Sequence, residues 1–324
     1  MADCHKLFLE FNSIIELKQN SKEFLRVSRE AVRDRIRNYF RKKANGFVPK
    51  FHGQGSFMMN VIILPGDGEF DLDDGIYFFV EKKPIYSVDT FHRWIYEAVD
   101  GHTKQEVIDK QTCVRVVYAG QYHLDLPIYY IIKGQYPRLA HKSKGWIESD
   151  PREFIKWFQD KTDDKGQLRR IVRYLKAWSD YKAGLLPSGL ILSILVTENI
   201  HFNARDDIAL YSTLVGIKNS LDLSFTCYRP TTPAYEDLLQ NYSQTNKDYF
   251  KSQIASLIRS AEKALDDKTS LKEACREWQK HFGDRFSCQL VEDKADSLLS
   301  TAFAASSLTF PNRPVIPKKP GGFA

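Results

Sequence analysis

Apolar side chains recur at helical intervals in the first part of the chain, between charged residues. They are Phe24, Val27, Ala31, Ile36 and Phe40. Positions three to five apart share one face of a helix, so the pattern predicts a long amphipathic helix over about 22–43.

After about residue 50 the pattern changes to short runs of β-branched and aromatic residues, which are typical of strands. We predict strands at 76–80, 114–118 and 124–132. The last two are predicted to pair antiparallel through a turn near Gly120, and a helix over about 88–99 precedes them. This order of elements indicates an α+β sheet domain.

After about residue 145 the periodicity becomes helical. One apolar stripe consists of Leu168, Ile171, Val172, Leu175 and Trp178, flanked by the basic residues Arg169, Arg173 and Lys176. Further helices are predicted at about 188–201, 206–219, 246–267 and 270–282. Residues 221–244, which contain Pro230 and Pro233, are predicted to form a long loop, and such loops are usually functional or mobile.

These patterns divide the chain into three predicted parts. Residues 1–145 hold N-terminal helices and the sheet lobe, and residues 146–305 form a helical lobe that closes a cleft. Residues 306–324 form a disordered tail, since proline recurs there every third position from Pro311 to Pro320 and favours extended polyproline II.

Composition narrows the setting of the protein. No apolar run approaches the roughly 18 residues that span a membrane, and the first residues lack the pattern of a signal peptide, so we expect a cytoplasmic protein without membrane contact. The five cysteines are scattered without a CxxC pair, which predicts free thiols in a reducing compartment. The net charge of +6 suits a polyphosphate substrate, although many proteins of this charge bind no nucleotide.

Three aspartates carry the candidate chemistry. Asp71 and Asp73 alternate along a strand and therefore share a face, whereas Asp74 faces away and is expected to bond the turn toward Gly75. Asp125 lies in another strand between apolar residues, where an unpaired carboxylate is costly. Three clustered carboxylates favour two hard cations, Mg²⁺ or Mn²⁺, an apparatus used in nucleotidyl transfer. A DxD on the exposed face of an edge strand is the ordinary alternative.

The pair Gly55-Ser56 precedes these aspartates. Glycine lets the backbone approach a phosphate, and serine offers a hydroxyl and an N–H. Such a pair alone is usually a turn, but Gly-Ser followed by alternating acids on a strand is typical of polymerase-β-like nucleotidyltransferases. The spacer here is longer than the minimum, because a Pro-Gly-Asp-Gly turn over 65–68 is inserted.

Four blocks in this order resemble the cGAS/DncV-like nucleotidyltransferases, and within that family the bacterial DncV-type enzymes. The blocks are Gln54-Gly55-Ser56-Phe57, Asp71-Leu72-Asp73-Asp74-Gly75, Lys110-Gln111-Thr112-Cys113-Val114-Arg115 and His123-Leu124-Asp125-Leu126-Pro127. The resemblance implies a bilobal α+β fold with a mixed or antiparallel sheet lobe and a helical lobe. It also implies synthesis of a cyclic di- or oligonucleotide from ATP and GTP in anti-phage signalling, with a downstream cyclic-nucleotide effector and no obligate nucleic acid.

The resemblance assigns roles to single residues. Gln54, Gly55 and Ser56 would contact the nucleotide, as would Arg115, for which a solvated strand arginine is the alternative. Lys176 matches a helix lysine that holds the donor triphosphate, and an exposed helix lysine is the ordinary alternative.

Two serines near predicted helix starts are less specific. Ser149 would touch a base or cap the helix that begins at Pro151, and Ser188 would cap a helix, contact a nucleotide, or both.

The chain departs from the family pattern after the Gly-Ser pair. An aromatic residue that stacks on a base is expected there, whereas this chain has Met58-Met59-Asn60, so the base preference is open. The histidines lack metal-binding spacing and are interpreted as structural or surface residues. Two other functions are weighed: a linear nucleotidyltransferase of the oligoadenylate-synthase or RNA-tailing kind, and a nucleotide-binding scaffold, against which the presence of all three aspartates argues.

The last residues predict a partner. The acid-free terminus Gly321-Gly322-Phe323-Ala324 can extend into a narrow groove. Some family members have ubiquitin-ligase-like partners that join the enzyme's C-terminus to other proteins, which implies conjugation of the Ala324 carboxylate. A disordered remnant or a proline-rich docking segment are the alternatives.

Overall fold

A computed structural model describes residues 2–43, 46–66, 69–182 and 184–292. Its helices are α1 (His5–Ile15), α2 (Gln19–Lys43), α3 (Gly55–Met58), α4 (Val88–Val99), α5 (Pro151–Lys161), α6 (Gln167–Lys182), α7 (Gly189–Asn199), α8 (Asp206–Leu223), α9 (Gln244–Leu265), α10 (Leu271–Phe282) and α11 (Gln289–Glu292). Its strands are β1 (Pro49–Gly53), β2 (Phe70–Val80), β3 (Ile108–Asp109), β4 (Cys113–Tyr118), β5 (Tyr122–Ile132), β6 (Arg138–His141) and β7 (Gly145–Glu148). The predicted tail lies outside the described residues.

The strands form one mixed sheet with the order β1-β2-β5-β4-β3, and β6 joins β5 to β7. Strands β2 and β5 run parallel, and the other pairs are antiparallel. The predicted turn between β4 and β5 is confirmed, with Gly120 at a φ of 69°. The parallel pair is the one that carries the three aspartates.

Helix α2 packs against the sheet together with α4 and closes one hydrophobic core. Phe24, Ile36 and Phe40 are buried, as the periodicity predicts. Val27 is 40% exposed instead, because Leu25 and Val32 occupy the centre of the contact. The amphipathic helix is therefore confirmed, with its apolar face rotated slightly from the predicted one.

Asp74 ties this helix to the sheet. Its buried carboxylate accepts hydrogen bonds from Nε and Nη2 of Arg33, at 2.7 and 2.6 Å. The expectation that Asp74 bonds the turn toward Gly75 is wrong, because Asp74 sits inside β2 and a buried carboxylate needs a positive partner.

A second core joins the helices of the C-terminal half, with α6 among them. Helix α1 belongs to this core: Phe8 and Phe11 pack on Tyr174 and Phe282. The division predicted at residue 145 places α1 with the sheet lobe, whereas its apolar face lies in the helical core. The helices predicted at about 188–201, 206–219, 246–267 and 270–282 correspond to α7, α8, α9 and α10, and their bounds differ from the predicted ones by a few residues.

Two cysteines correct the free-thiol expectation. Cys275 and Cys288 form a disulfide that fastens the segment after α10 onto that helix. Cys4, Cys113 and Cys227 are free and buried. A scattered spacing gives no indication of this pair, because α10 and the following turn bring the two residues together.

Of the helices in the described ranges, none combines the length and the apolar character that crossing a membrane requires.

Candidate active site

The parallel register of β2 and β5 brings the aspartates together. Asp73 lies opposite Asp125, and Asp71 lies opposite His123. Asp71 and Asp73 share a face because they are two positions apart on one strand. The sheet thus places all three carboxylates on one side, at the end of the lobe where β1 leads into α3.

Arg115 lies among these carboxylates. It pairs with Asp125 across β4 and β5, and its Nε and Nη2 donate to the two Asp125 oxygens at 2.6 and 2.8 Å. Its Nη2 also donates to Asp71 at 2.8 Å. The guanidinium therefore neutralises part of the cluster's charge, and the hydrogen bonds to Asp125 raise the pKa of Arg115.

Asp73 has no such partner within the cluster. Burial, and then the charges of Asp125 and Asp71, raise the pKa of Asp73 to about 7. A carboxylate in this position needs added positive charge to stay ionised at neutral pH.

The donor set fits hard divalent cations chemically, since all three groups are carboxylates. Across the described ranges, no three acidic, histidine or cysteine side chains already stand at metal-binding spacing. Arg115 occupies part of the space between Asp71 and Asp125, so the guanidinium must shift for both carboxylates to share a cation.

The Gly55-Ser56 turn begins helix α3 directly beside Asp73. Gly55 has a φ of 61°, and a Cβ at this position would collide with Oδ2 of Asp73. The backbone N–H of Gln54 donates to the carbonyl of Asp73 at 3.0 Å. Glycine is therefore required here for both conformation and space.

Gln54, the residue before this turn, is buried, and its side chain is hydrogen-bonded to two tyrosines of the sheet. Its Nε2 donates to the Tyr77 hydroxyl at 2.6 Å, and the Tyr129 hydroxyl donates to its Oε1 at 3.3 Å. The two tyrosine rings stack with centroids 4.5 Å apart. The side chain predicted to contact a nucleotide is thus bonded within the protein.

Lys176 approaches from the helical lobe. Its Nζ donates to the carbonyl of Val61 at 3.0 Å. Burial lowers the pKa of Lys176 to about 8, against the opposing effect of Asp73. Arg173, one turn earlier on α6, is buried and donates to the carbonyl of Asn60 at 2.7 Å. The basic flank predicted from the sequence thus faces the segment that follows Ser56.

One cavity of about 330 Å³ collects most of the predicted residues. Those that line it are Gln54, Gly55, Ser56, Asp73, Ser149 and Lys176. Asp71, Arg115 and Asp125 lie beside Asp73 on the sheet but outside this lining, and Ser188 precedes the lining residue Gly189. Ser188 is the N-cap residue of α7, without a side-chain capping bond.

The same cavity contains residues that sequence analysis missed. Asp150, rather than Ser149, caps α5 by accepting from the backbone N–H of Arg152. The loop before α9 contributes Arg229, Thr231 and Thr232. The length of that loop and its prolines predicted that it is functional or mobile, but they did not indicate which of its side chains line a cavity.

A larger cavity of about 720 Å³ lies between α2 and β1. Its lining includes Arg33, Arg37, Arg41 and Lys50 but no carboxylate and none of the predicted site residues. The described lining of the larger cavity therefore lacks the carboxylate oxygens that hard divalent cations prefer as ligands.

Part of this chain resembles proteins that have been characterised. Residues 49–129 match the model of the family described as "Cyclic GMP-AMP synthase DncV-like, nucleotidyltransferase domain". A cyclic GMP-AMP synthase of Escherichia albertii is 28% identical in an alignment 199 residues long, and the match covers 56% of this chain and 44% of that protein. A cyclic AMP-AMP-AMP synthase of Acinetobacter sp. is 28% identical in an alignment 205 residues long, and the match covers 55% of this chain and 56% of that protein. The chain spans about half the length of these curated relatives.

The fold has a counterpart among solved structures. The crystal structure of Vibrio cholerae DncV cyclic AMP-GMP synthase, a prokaryotic cGAS homolog, superposes with a TM-score of 0.76 and 20% sequence identity. The match covers 90% of this chain and 99% of that one. The predicted α+β, polymerase-β-like architecture with a sheet lobe and a helical lobe is confirmed.

Proposed function

Because this chain belongs to the cGAS/DncV-like nucleotidyltransferases, we propose that it joins ATP and GTP into a cyclic di- or oligonucleotide with release of pyrophosphate. One observation carries the proposal: the Gly55-Ser56 turn, Asp73 and Lys176 come from distant parts of the chain and line one cavity. One relative is named a cyclic GMP-AMP synthase and another a cyclic AMP-AMP-AMP synthase. These names support a cyclic product but leave the number of nucleotides in the ring open.

The family is generally metal-dependent. Asp71, Asp73 and Asp125 would hold two Mg²⁺ or Mn²⁺ ions, whose charge lowers the pKa of an acceptor hydroxyl and neutralises the donor phosphates. Asp125 would accept the proton of the attacking hydroxyl. Arg115, which pairs with Asp125 and Asp71, would turn toward the nucleotide as these carboxylates take their ligands.

The remaining residues would bind and orient the substrates. Ser56 offers its hydroxyl to the donor phosphates, and Lys176 supplies a positive charge. In-line attack on the α-phosphorus then releases pyrophosphate. The linear product would then bind again as donor for ring closure. In this arrangement Ser149 would lie near a base, and Ser188 would contact the nucleotide from the N-terminus of α7.

The nature of the product tests the proposal. Purified protein is incubated with Mg²⁺ and labelled ATP and GTP, and the products are treated with phosphatase and separated by thin-layer chromatography. Label that resists phosphatase and has the mass of a cyclic oligonucleotide supports the proposal. Phosphatase-sensitive chains alone would indicate a linear nucleotidyltransferase, and absence of any incorporation would indicate a nucleotide-binding scaffold.

Replacing Lys176 tests the assignment of the donor triphosphate. Lys176→Ala is expected to raise the apparent KM for nucleotide by roughly tenfold to a hundredfold, since a hydrogen bond to a charged group contributes about 1.5–3 kcal/mol. The kcat should change less, because the lysine neutralises phosphates rather than reacts. Steady-state kinetics at varied nucleotide concentration measures both constants.

Two further variants make this test specific. Lys176→Met retains most of the packing volume and should behave like Lys176→Ala. Lys156→Ala removes an exposed helix lysine that pairs with Asp160, and should leave the KM unchanged. An unaltered KM in both Lys176 variants would mean that the lysine only supports the loop at Val61.

The C-terminal proposal rests on the sequence and the resemblance, because residues 293–324 lie outside the described ranges. We propose that Ala324 is joined to target amines by a ubiquitin-ligase-like partner, and that the product acts on a cyclic-nucleotide effector in anti-phage defence. Deleting residues 321–324 should leave purified activity unchanged and remove higher-mass conjugates in cells that carry the native gene neighbourhood. Conjugates that persist after the deletion would contradict the proposal.

A further inference from the structure

The loop before α9 forms part of the cavity wall and is fixed in place there. The carbonyl of Thr232 accepts from the backbone N–H of Asp150 at 3.2 Å, and the N–H of Thr232 donates to Glu153 at 3.2 Å. The loop is therefore pinned to the first turn of α5, and its side chains at the cavity have defined positions.

Thr231, which lines the same cavity, contains a polar atom that makes no hydrogen bond. Its Oγ1 is buried, yet it has no hydrogen-bond partner in the described part of the protein. A buried hydroxyl without a partner costs free energy, which a bound polar group can recover. This atom therefore points to a ligand that offers a hydrogen-bonding group here.

Arg229 lines the same cavity and is held from one side. Its Nε and Nη2 each lie 2.8 Å from Oε2 of Glu236. Its Nη1 has no hydrogen bond to any residue in the described ranges. The carboxylate thus fixes the plane of the guanidinium while the other edge, formed by Nη1 and the second N–H of Nη2, stays available as a pair of donors.

The cavity lining also includes one aromatic ring, that of Phe154. Met59 is buried near the position where the family pattern has a base-stacking aromatic residue. Phe154, on the first turn of α5, lines the cavity close to the pinned loop.

We propose that Arg229 and Thr231 read the base of one substrate nucleotide and select guanine over adenine. This inference rests on the proposed nucleotidyl transfer at the same cavity. Guanine offers two neighbouring acceptors, O6 and N7, which match the paired donors of an arginine. Adenine places an amino donor at position 6, which would face the guanidinium and leave one donor unpaired.

Competition between the two nucleotides tests the proposal. Arg229→Ala is expected to lower kcat/KM for GTP by about tenfold to a hundredfold, in line with the discrimination of one bidentate pair, and to change the value for ATP by less than about threefold. Thr231→Val keeps the side-chain shape and removes the hydroxyl, so it should lower the GTP value by a smaller factor. Arg93→Ala, which removes an exposed arginine on α4, is the matched control and should change neither value.

A binding measurement separates this proposal from the proposed activity. The shift in Tm that GTP produces, relative to that of ATP, is measured with Mg²⁺ for the wild type and both variants. A loss of the GTP-specific part in the variants supports base reading even if the protein transfers no nucleotide. Equal losses for both nucleotides would assign Arg229 to loop stability, and a preference for ATP in the wild type, or an unchanged GTP preference in both variants, would overturn the proposal.

Discussion

Nucleotide transfer is expected to fall by at least about a thousandfold when Asp71 and Asp73 are both replaced by asparagine, with the fold retained. Asparagine keeps the shape of each side chain but removes the charge that holds divalent cations, and such cations contribute several kcal/mol to catalysis. Incorporation of labelled nucleotide with Mg²⁺ measures the effect, and circular dichroism checks the fold. Asp160→Asn, an exposed carboxylate on α5, is the matched control.

The single variant Asp73→Asn is expected to be more stable than the wild type, although the double variant is expected to lose activity. Because burial and the neighbouring carboxylates raise the pKa of Asp73 from 3.8 to about 7, the folded protein keeps this proton where the unfolded chain has lost it. Metal-free wild-type stability should therefore fall as pH rises from about 4 to 7. Asparagine has no proton to lose, so the variant should have a higher Tm than the wild type at pH 8 in a chelating buffer.

Two results would contradict this account of the carboxylates. Near-wild-type turnover of the double variant would remove the catalytic role from Asp71 and Asp73. A lower Tm of Asp73→Asn at pH 8 would show that the ionised carboxylate is stabilised by contacts other than cations, in which case Lys176 is the nearest positive group to consider.

Gly55→Ala is expected to lower kcat/KM by about a hundredfold or more, because an added Cβ would collide with Oδ2 of Asp73. The turn must then move away from the carboxylate, and misplacement by about 1 Å at a reacting centre can cost this much. Part of the effect on stability comes from the positive φ of 61°, which disfavours alanine by about 1 kcal/mol. Steady-state kinetics and thermal unfolding measure the two effects separately.

Gly120 offers a matched control for the backbone effect. It has a φ of 69°, and no atom lies within 4 Å of an added Cβ. Gly120→Ala should therefore lose only the stability that the positive φ costs, less than Gly55→Ala loses, and should keep its kcat/KM. If both variants retain activity, the close approach of Gly55 to Asp73 has no catalytic importance.

The sequence predicted the elements that follow simple periodicity. Strand β5 and helix α4 were found because strand and helix patterns differ in period, and the position of Asp73 followed from alternation along β2. The grouping of Asp73 with Asp125 was also predictable, since a carboxylate in a buried strand is costly unless other groups or a metal ion compensate its charge.

The side-chain partners could not be predicted in the same way. The pairing of Arg115 with Asp125 depends on the register of β4 against β5, and the pairing of Arg33 with Asp74 depends on how α2 crosses the sheet. Arg229 reaches the cavity through an irregular loop, which has no period to read. Such contacts are set by tertiary packing and not by local pattern.

The bond between Lys176 and Val61 joins residues 115 positions apart, and it links an α6 side chain to the segment that follows Ser56. A contact of this separation costs the chain the entropy of closing a long loop, so it depends on the rest of the fold to hold its two ends together. A partly folded chain with only its sheet complete would therefore have carboxylates but no donor site. The donor site is therefore complete only when both lobes have packed together. A newly synthesised molecule would gain its activity in the same step that completes its fold.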